Sequence, residues 1–195
     1  MAEVLKVGLN KIVNRQGRRI LITHANRENW RKYLIDFTML PMSIFPGYGW
    51  GNRIRGWLLG YACKATGINL RVAQLVKIYA PQKLTLGSNV YLGHNCYIGN
   101  GTIDIGDEAV IGAQVVLSGA DHVREGGSVR WAESNDKGLR IGRGVWIGAR
   151  SVILSGIQIG DGVVVAAGSV VTKSIRENVL VAGVPAVEIK ELKDV

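Results

Sequence analysis

From Leu86 onward an aliphatic residue returns at every sixth position, a period that leaves the chain few ways to fold. The positions are Leu86, Leu92, Ile98, Ile105, Ile111 and Leu117, then Ile141, Ile147, Ile153, Ile159, Val165 and Val171. Every interval is six except one of seven, Ile98 to Ile105, and one gap of 24, Leu117 to Ile141. Glycine follows the aliphatic at eight of these twelve places, among them Gly87, Gly93, Gly106 and Gly148. Six matches neither the 3.6 of an amphipathic helix nor the 2 of a half-buried strand. Sustained, it is the signature of a parallel β-helix. Each unit is then a short strand and a corner, with the aliphatic pointing inward and glycine placed where a Cβ would clash. Coils stack about 4.8 Å apart, and each buries its row only against its neighbours. The gap of 24 is four sixes, so the register survives it. Residues 118–140 therefore read as a loop pushed out between coils. The same phase runs backward through Leu84, Ile78 and Val72, which puts the start of the repeat near Ile68.

The chain accordingly divides into an N-terminal arm and helical segment over 1–67, the coil with its loop over 68–178, and a C-terminal segment over 179–195. In the first part, Trp30, Tyr33, Leu34, Phe37 and Leu40 recur at helical spacing from Asn29 to Leu40, and Pro41 ends that helix. A second helix is expected from a cap at Asn52, through Ile54, Trp57, Leu58 and Tyr61, to Gly67. The high count of 26 glycines with only 7% aromatics suits a repeat of tight corners. Cys63 and Cys96 have no metal-site spacing and form no disulfide framework, so a reducing cytoplasm is expected. No stretch reaches the roughly 18 apolar residues of a membrane span. The net charge of +9 calls for an anionic partner, and Arg15, Arg18, Arg19, Arg27, Arg31, Lys32, Arg53 and Arg55 gather early. Nucleic acid, anionic lipid and a phosphorylated small molecule all fit such a surface, as does a merely solvated basic face.

The units "LGSNVY-LGHNCY-IGNGTI" and "IGRGVW-IGARSV-ILSGIQ-IGDGVV" resemble the hexapeptide-repeat acyltransferases. The tail "VAGVPAVEIKEL" is similar to the closing segment of their sugar O-acetyltransferases, and "VKIYAPQKLTLGSNVYLG" to those of exopolysaccharide and colanic-acid assembly. The resemblance covers about residues 68–192. It implies an all-β fold: a left-handed parallel β-helix with an N-terminal helical segment and a short C-terminal helix. It also implies a homotrimer with active sites between subunits and acetyl-CoA as co-substrate, with no metal. Parallel crossovers are normally right-handed, so the left hand comes from the resemblance and not from the period.

Acyl transfer from a thioester to a hydroxyl needs a base, a donor for the oxyanion and a slot for the acyl carrier. An imidazole can accept a proton near neutral pH. Of His24, His94 and His122, only His122 stands at the last place of the last hexapeptide before the loop, where the family's catalytic histidine stands. Asp121 beside it points to the opposite face of a strand. His94 sits at an outward corner of an unbroken repeat. The resemblance assigns Ala149, Ala167, Thr172 and Lys173 to coenzyme A, with Lys173 meeting a phosphate as a point charge. For the acceptor, Asn100 and Asp104 flank the seven-residue interval, and Trp131 lies in the loop that covers the pocket. Trp146 either flanks the site or joins a trimer interface. The loop carries Arg124 where a second histidine often stands, and "SGADH" is also similar to a segment of xenobiotic acetyltransferases.

The expected function is therefore acetyl-CoA-dependent O-acetylation of a sugar or polysaccharide precursor, the acceptor being free or lipid-linked. An amino-sugar or xenobiotic acceptor and a non-catalytic β-helix scaffold are the alternatives. A γ-class carbonic anhydrase would need three histidines on zinc, two of them spaced H-x4-H, and no such pair exists. Nucleic acid is not the expected partner. The location is cytoplasmic, at the inner face of the membrane if the basic, Trp-rich segment from Arg27 to Tyr61 contacts lipid; a helical cap on the open end of the coil is that segment's other reading.

Overall fold

The computed structural model describes residues 11–13, 19–21, 44, 46–130 and 133–193. The helix expected over Asn29–Leu40 and the loop residue Trp131 lie outside these. Residues 1–30 and 31–195 form two compact units. In the first, Lys11–Val13 pairs antiparallel with Arg19–Leu21.

The second unit is a left-handed parallel β-helix with three faces. The first face stacks Ala65–Thr66, Leu84–Leu86, Ile103–Ile105, Leu139–Ile141 and Ile157–Ile159. The second stacks Arg71–Val72, Tyr91–Leu92, Val110–Ile111, Trp146–Ile147 and Val164–Val165, and the third Lys77–Ile78, Tyr97–Ile98, Val116–Leu117, Val152–Ile153 and Val170–Val171. Register is kept residue for residue: Ile111 lies between Leu92 and Ile147, and Leu117 between Ile98 and Ile153. All six of these side chains are buried, and full burial of one such aliphatic is worth about 1.5–3 kcal/mol. The coil begins at Ala65, ahead of the expected Ile68. In its second turn the register residue is Leu86, paired with Thr66 and Ile105, while Leu84 is buried two places earlier in the same strand.

The recurring glycines serve the next coil. A Cβ on Gly93 would lie 2.6 Å from the carbonyl carbon of Gly112. The left-handed backbone of the corner falls two residues later, at Asn95 with φ 57°. Small interior polar groups are satisfied at these corners: Cys96 Sγ donates to the Gly112 carbonyl at 2.9 Å and Ser151 Oγ to that of Ala166 at 3.0 Å.

Helix α1 runs Trp50–Ala62, capped at Gly49, so it starts before the expected Asn52 and stops short of Gly67. Asn52 lies inside the first turn and accepts from Arg55. The aromatic positions that marked the helix in the sequence are turned outward, with Trp57 and Tyr61 each 63% exposed. The buried side is Gly51, Asn52, Arg55, Gly56, Leu59 and Ala62. Close approach explains this: a Cβ on Gly56 would lie 2.3 Å from the Leu70 carbonyl oxygen, and Arg55 Nε donates to the Val72 carbonyl at 2.8 Å. Leu59 and Ala62 join the interior of the coil, so α1 caps it.

The expected C-terminal helix is absent from the described residues, and the tail forms two strands. Val179–Gly183 extends the second face beyond Val164–Val165, and Ala186–Glu191 returns antiparallel to it. Val179 and Val181 continue the buried row, and a helix there would leave the last edge unpaired. Arg176 ties the return strand through Glu188 and Glu191.

Candidate active site

The coil has three edges, and its irregularities all lie on one. At the first-to-second and second-to-third edges, successive inward residues are six apart, as from Leu86 to Leu92 to Ile98. From the third face to the first, the intervals up the coil are eight (Ile78 to Leu86), seven (Ile98 to Ile105), 24 (Leu117 to Ile141) and six (Ile153 to Ile159). The 24-residue segment leaves this edge as an antiparallel hairpin of Ala120–His122 with Ser134–Asp136. Its ends are tied by the Gly138 N–H donating to the Gly119 carbonyl at 2.8 Å, and Gly119 N–H donates to Asn100 below at 2.8 Å. Gly119 must be glycine, because a Cβ there would lie 2.8 Å from the Thr102 carbonyl oxygen.

His122 stands on this hairpin, exposed, opposite Ser134. Asn100 reaches the same place from the coil below, its Nδ2 3.5 Å from Ser134 Oγ. Asp136 anchors the hairpin. Its carboxylate accepts the Thr102 N–H at 2.8 Å and the Thr102 hydroxyl at 3.1 Å, and pairs with Lys83 Nζ at 3.0 Å. Burial would raise this carboxyl's pKa, but the Thr102 N–H and Lys83 outweigh it and hold the group below its ordinary 3.8. Asp121 turns the other way and pairs with Lys137 at 2.8 Å, which holds its carboxyl low as well.

Thr172 and Lys173 are exposed at the same edge two coils higher, about 10 Å along the stack. Asp104 lies on the first face beside this edge, opposite Arg140. Ala149 and Ala167 do not join His122 within one chain. They stack on the second-to-third edge, where the Gly168 N–H donates to the Ala149 carbonyl at 2.8 Å, and His94 is exposed on that edge lower down. Trp146 is exposed on the second face, away from the hairpin. The period alone does not give Ser134, Asp136, Thr102 or Lys83. The one available signal was the eight-residue step from Ile78 to Leu86, which sets Lys83 outside the repeat. Among the described residues no three metal-ligating side chains cluster.

Residues 138–173 match the family model of the bacterial transferase hexapeptide (six repeats), and residues 83–118 that of the hexapeptide repeat of succinyl-transferase. The chain is 38% identical over 121 residues to the galactoside O-acetyltransferase of Escherichia coli (strain K12). That match covers 58% of this chain and 60% of the relative, so it spans less than two thirds of the relative's length. A galactoside acetyltransferase solved in complex with coenzyme A is similar with a TM-score of 0.75 at 28% identity, over 87% of this chain and 84% of that one. A maltose O-acetyltransferase from Clostridium difficile 630 shares the fold, with a TM-score of 0.72 at 24% identity over 87% and 90% of the two chains.

Proposed function

We propose a function that proceeds from the family: the chain belongs to the hexapeptide-repeat acyltransferase superfamily, and it transfers an acetyl group from acetyl-CoA to a hydroxyl of a sugar or polysaccharide precursor. The observation that carries this reading is the hairpin edge. The coil's one large insertion sets an exposed histidine beside Asn100, on the edge that also presents Thr172 and Lys173. A scaffold has no use for that arrangement. The galactoside and maltose acetyltransferases support a sugar as acceptor and acetyl-CoA as donor.

The roles follow from the chemistry. A ring nitrogen of His122 takes the proton of the acceptor hydroxyl as its oxygen attacks the thioester carbonyl. Backbone N–H groups stabilise the oxyanion. Collapse expels the thiolate of coenzyme A, which takes the proton from the imidazolium, giving the acetyl ester and free coenzyme A. Asn100 orients the acceptor with Asp104. Lys173 meets a phosphate of the carrier, with Thr172 beside it. Exposed Ala149 and Ala167, small enough for an extended arm to lie against the wall, occupy a different edge. The reading therefore includes a homotrimer in which one copy's alanine edge faces the next copy's hairpin edge. The free, buried Cys63 and Cys96 support a reducing, cytoplasmic compartment.

Steady-state kinetics with acetyl-CoA and a panel of glycosides and amino sugars tests this. His122→Asn keeps polarity and approximate volume but has no basic nitrogen. It should lower kcat by about 10²–10⁴ while acetyl-CoA binding by calorimetry stays intact. A variant keeping more than about a tenth of the wild-type kcat would remove His122 from the mechanism.

A further inference from the structure

The capped end of the coil carries a charge segregation that acetyl transfer does not require. Between Asp36 and Asp104 the chain contains no aspartate or glutamate. Helix α1 and the first two coils fall within this stretch. Arg53, Lys64, Arg71 and Lys77 are exposed there. The same end bears large apolar side chains in the open: Ile44 at 87% exposure, Tyr48 at 78%, Ile68 at 76%, with Trp57 and Tyr61 on α1. Trp57 and Tyr61 meet edge to face at 4.9 Å. With Arg53, Ile68 and Leu70 they line a groove of about 600 Å³ floored by Gly56. Arg53 is the one charged group among the described residues that line it.

We propose that this end is a docking surface for an anionic phospholipid bilayer. An amphipathic helix in a water-exposed position turns its apolar face to the core and its polar face to solvent. Helix α1 departs from this: beside Leu59 and Ala62 it packs glycine, Asn52 and Arg55 inward, and it presents its tryptophans and tyrosine outward. Tryptophan and tyrosine belong at the level of lipid headgroups, with an apolar ring and a polar edge. Arginine and lysine beside them add attraction to an anionic leaflet. A second copy docking the same face would set cation against cation across the contact. A nucleic-acid backbone would answer the charge but leave Ile44, Ile54 and Ile68 without a partner. Among these occupants, an anionic bilayer alone meets both the charge and the apolar surface. The inference is independent of the acetyl-transfer reading. Together, the two would bring a lipid-borne acceptor to a site on the third coil, two coil rises or about 10 Å above the first.

The test is co-sedimentation of the full chain with vesicles of phosphatidylcholine alone and with a third of phosphatidylglycerol. Binding should need the anionic lipid and fall when salt is raised from about 0.1 M to about 1 M, where screening shortens to about 3 Å. Arg53→Gln should lower the partition coefficient about fivefold, the worth of one cation near an anionic leaflet. Trp57→Ser with Tyr61→Ser should lower it further at either salt, while Trp57→Phe keeps most of it. Far-UV circular dichroism checks that each variant stays folded, and Arg53→Gln, at an exposed position, reads the charge without touching the helix packing. Binding equal on both vesicles, no binding to either, or no response to Arg53→Gln would overturn the proposal. So would a large fall in thermal midpoint for Trp57→Ser with Tyr61→Ser at unchanged vesicle binding, which would mark this face as covered by protein.

Discussion

Replacing Asp136 by alanine asks whether the hairpin holds His122 in place or merely carries it. The carboxylate holds the Thr102 N–H and hydroxyl and the Lys83 ammonium. Hydrogen bonds to a charged group contribute about 1.5–3 kcal/mol. The Lys83 pair, with side chains 43% and 31% exposed, adds at most about 1 kcal/mol. Thr102 is half-buried, so water replaces part of what is lost. The net cost is about 2 kcal/mol, or roughly a thirtyfold rise in opening of the hairpin. It stays local, because the hairpin lies outside the buried rows. Hydrogen exchange at the amides of Ala120–His122 and Ser134–Asp136 should speed up by about that factor, while Ile147 and Val165 stay as they were. Asp136→Asn, which keeps an acceptor for Thr102, should fall between. The pH dependence has a definite sign. A carboxyl held low when folded contributes fully above the unfolded value near 3.9, and its contribution is lost as pH falls through the lower folded value. After correction for intrinsic exchange, the wild type should approach the alanine variant only in strong acid. Unchanged hairpin exchange in Asp136→Ala, or equal acceleration throughout the coil, would refute the anchoring argument.

Leu117→Ala, at a fully buried position beneath the hairpin's take-off, should cost about 2–5 kcal/mol by denaturant unfolding with an unchanged m-value; a loss under about 1 kcal/mol would mean the row is loosely packed. Burial pushes the Cys63 thiol up to about 12, so its stabilising contribution is complete below the unfolded thiol value near 8.5 and drains away as pH rises toward 12. Neither Cys63 nor Cys96 should react with a thiol reagent in the native protein at neutral pH, and both should react at once in denaturant; rapid native labelling of either would contradict the packing.

The interior of the coil is legible in the sequence because burial acts on the same two residues of each six, the aliphatic and the small or aliphatic residue four places on. Ile111 and Ile147 can only point inward if their neighbours do. The outward setting of His122 is legible for the same reason, since it lies within the 24-residue interval where the inward row stops, whereas its proposed role comes from the resemblance. How helix α1 docks is not legible, because apolar spacing gives the helix but not the side it buries, which is decided by Gly56 and by oxygens for Arg55. The tail's strands are hidden for another reason. Val179 and Val181 complete a face whose unpaired edge is visible only in three dimensions. Ala149 and Ala167 share an edge because they are 18 residues apart, one full coil, but the inserted hairpin hides how that edge lies relative to His122. Asp136 carries no periodic signal. Its partners Lys83 and Thr102 come from two other coils, and a contact assembled across that separation has no signature along the chain.

Because the hairpin's two ends meet at Gly119 and Gly138, hydrogen-bonded at 2.8 Å, the coil experiences the insertion as a single corner residue pair. The length between those ends is then nearly free. Doubling a flexible loop costs only about 0.6 kcal/mol in closure entropy, and no inward aliphatic shifts when it happens. A one-residue change at either of the other two edges would throw every later hexad out of phase. This molecule thus keeps its variable part and its rigid part on separate edges. On the proposed function, a hairpin of another length or sequence, joined at the same two glycines and keeping a carboxylate for Thr102, would give the same coil a different acceptor preference.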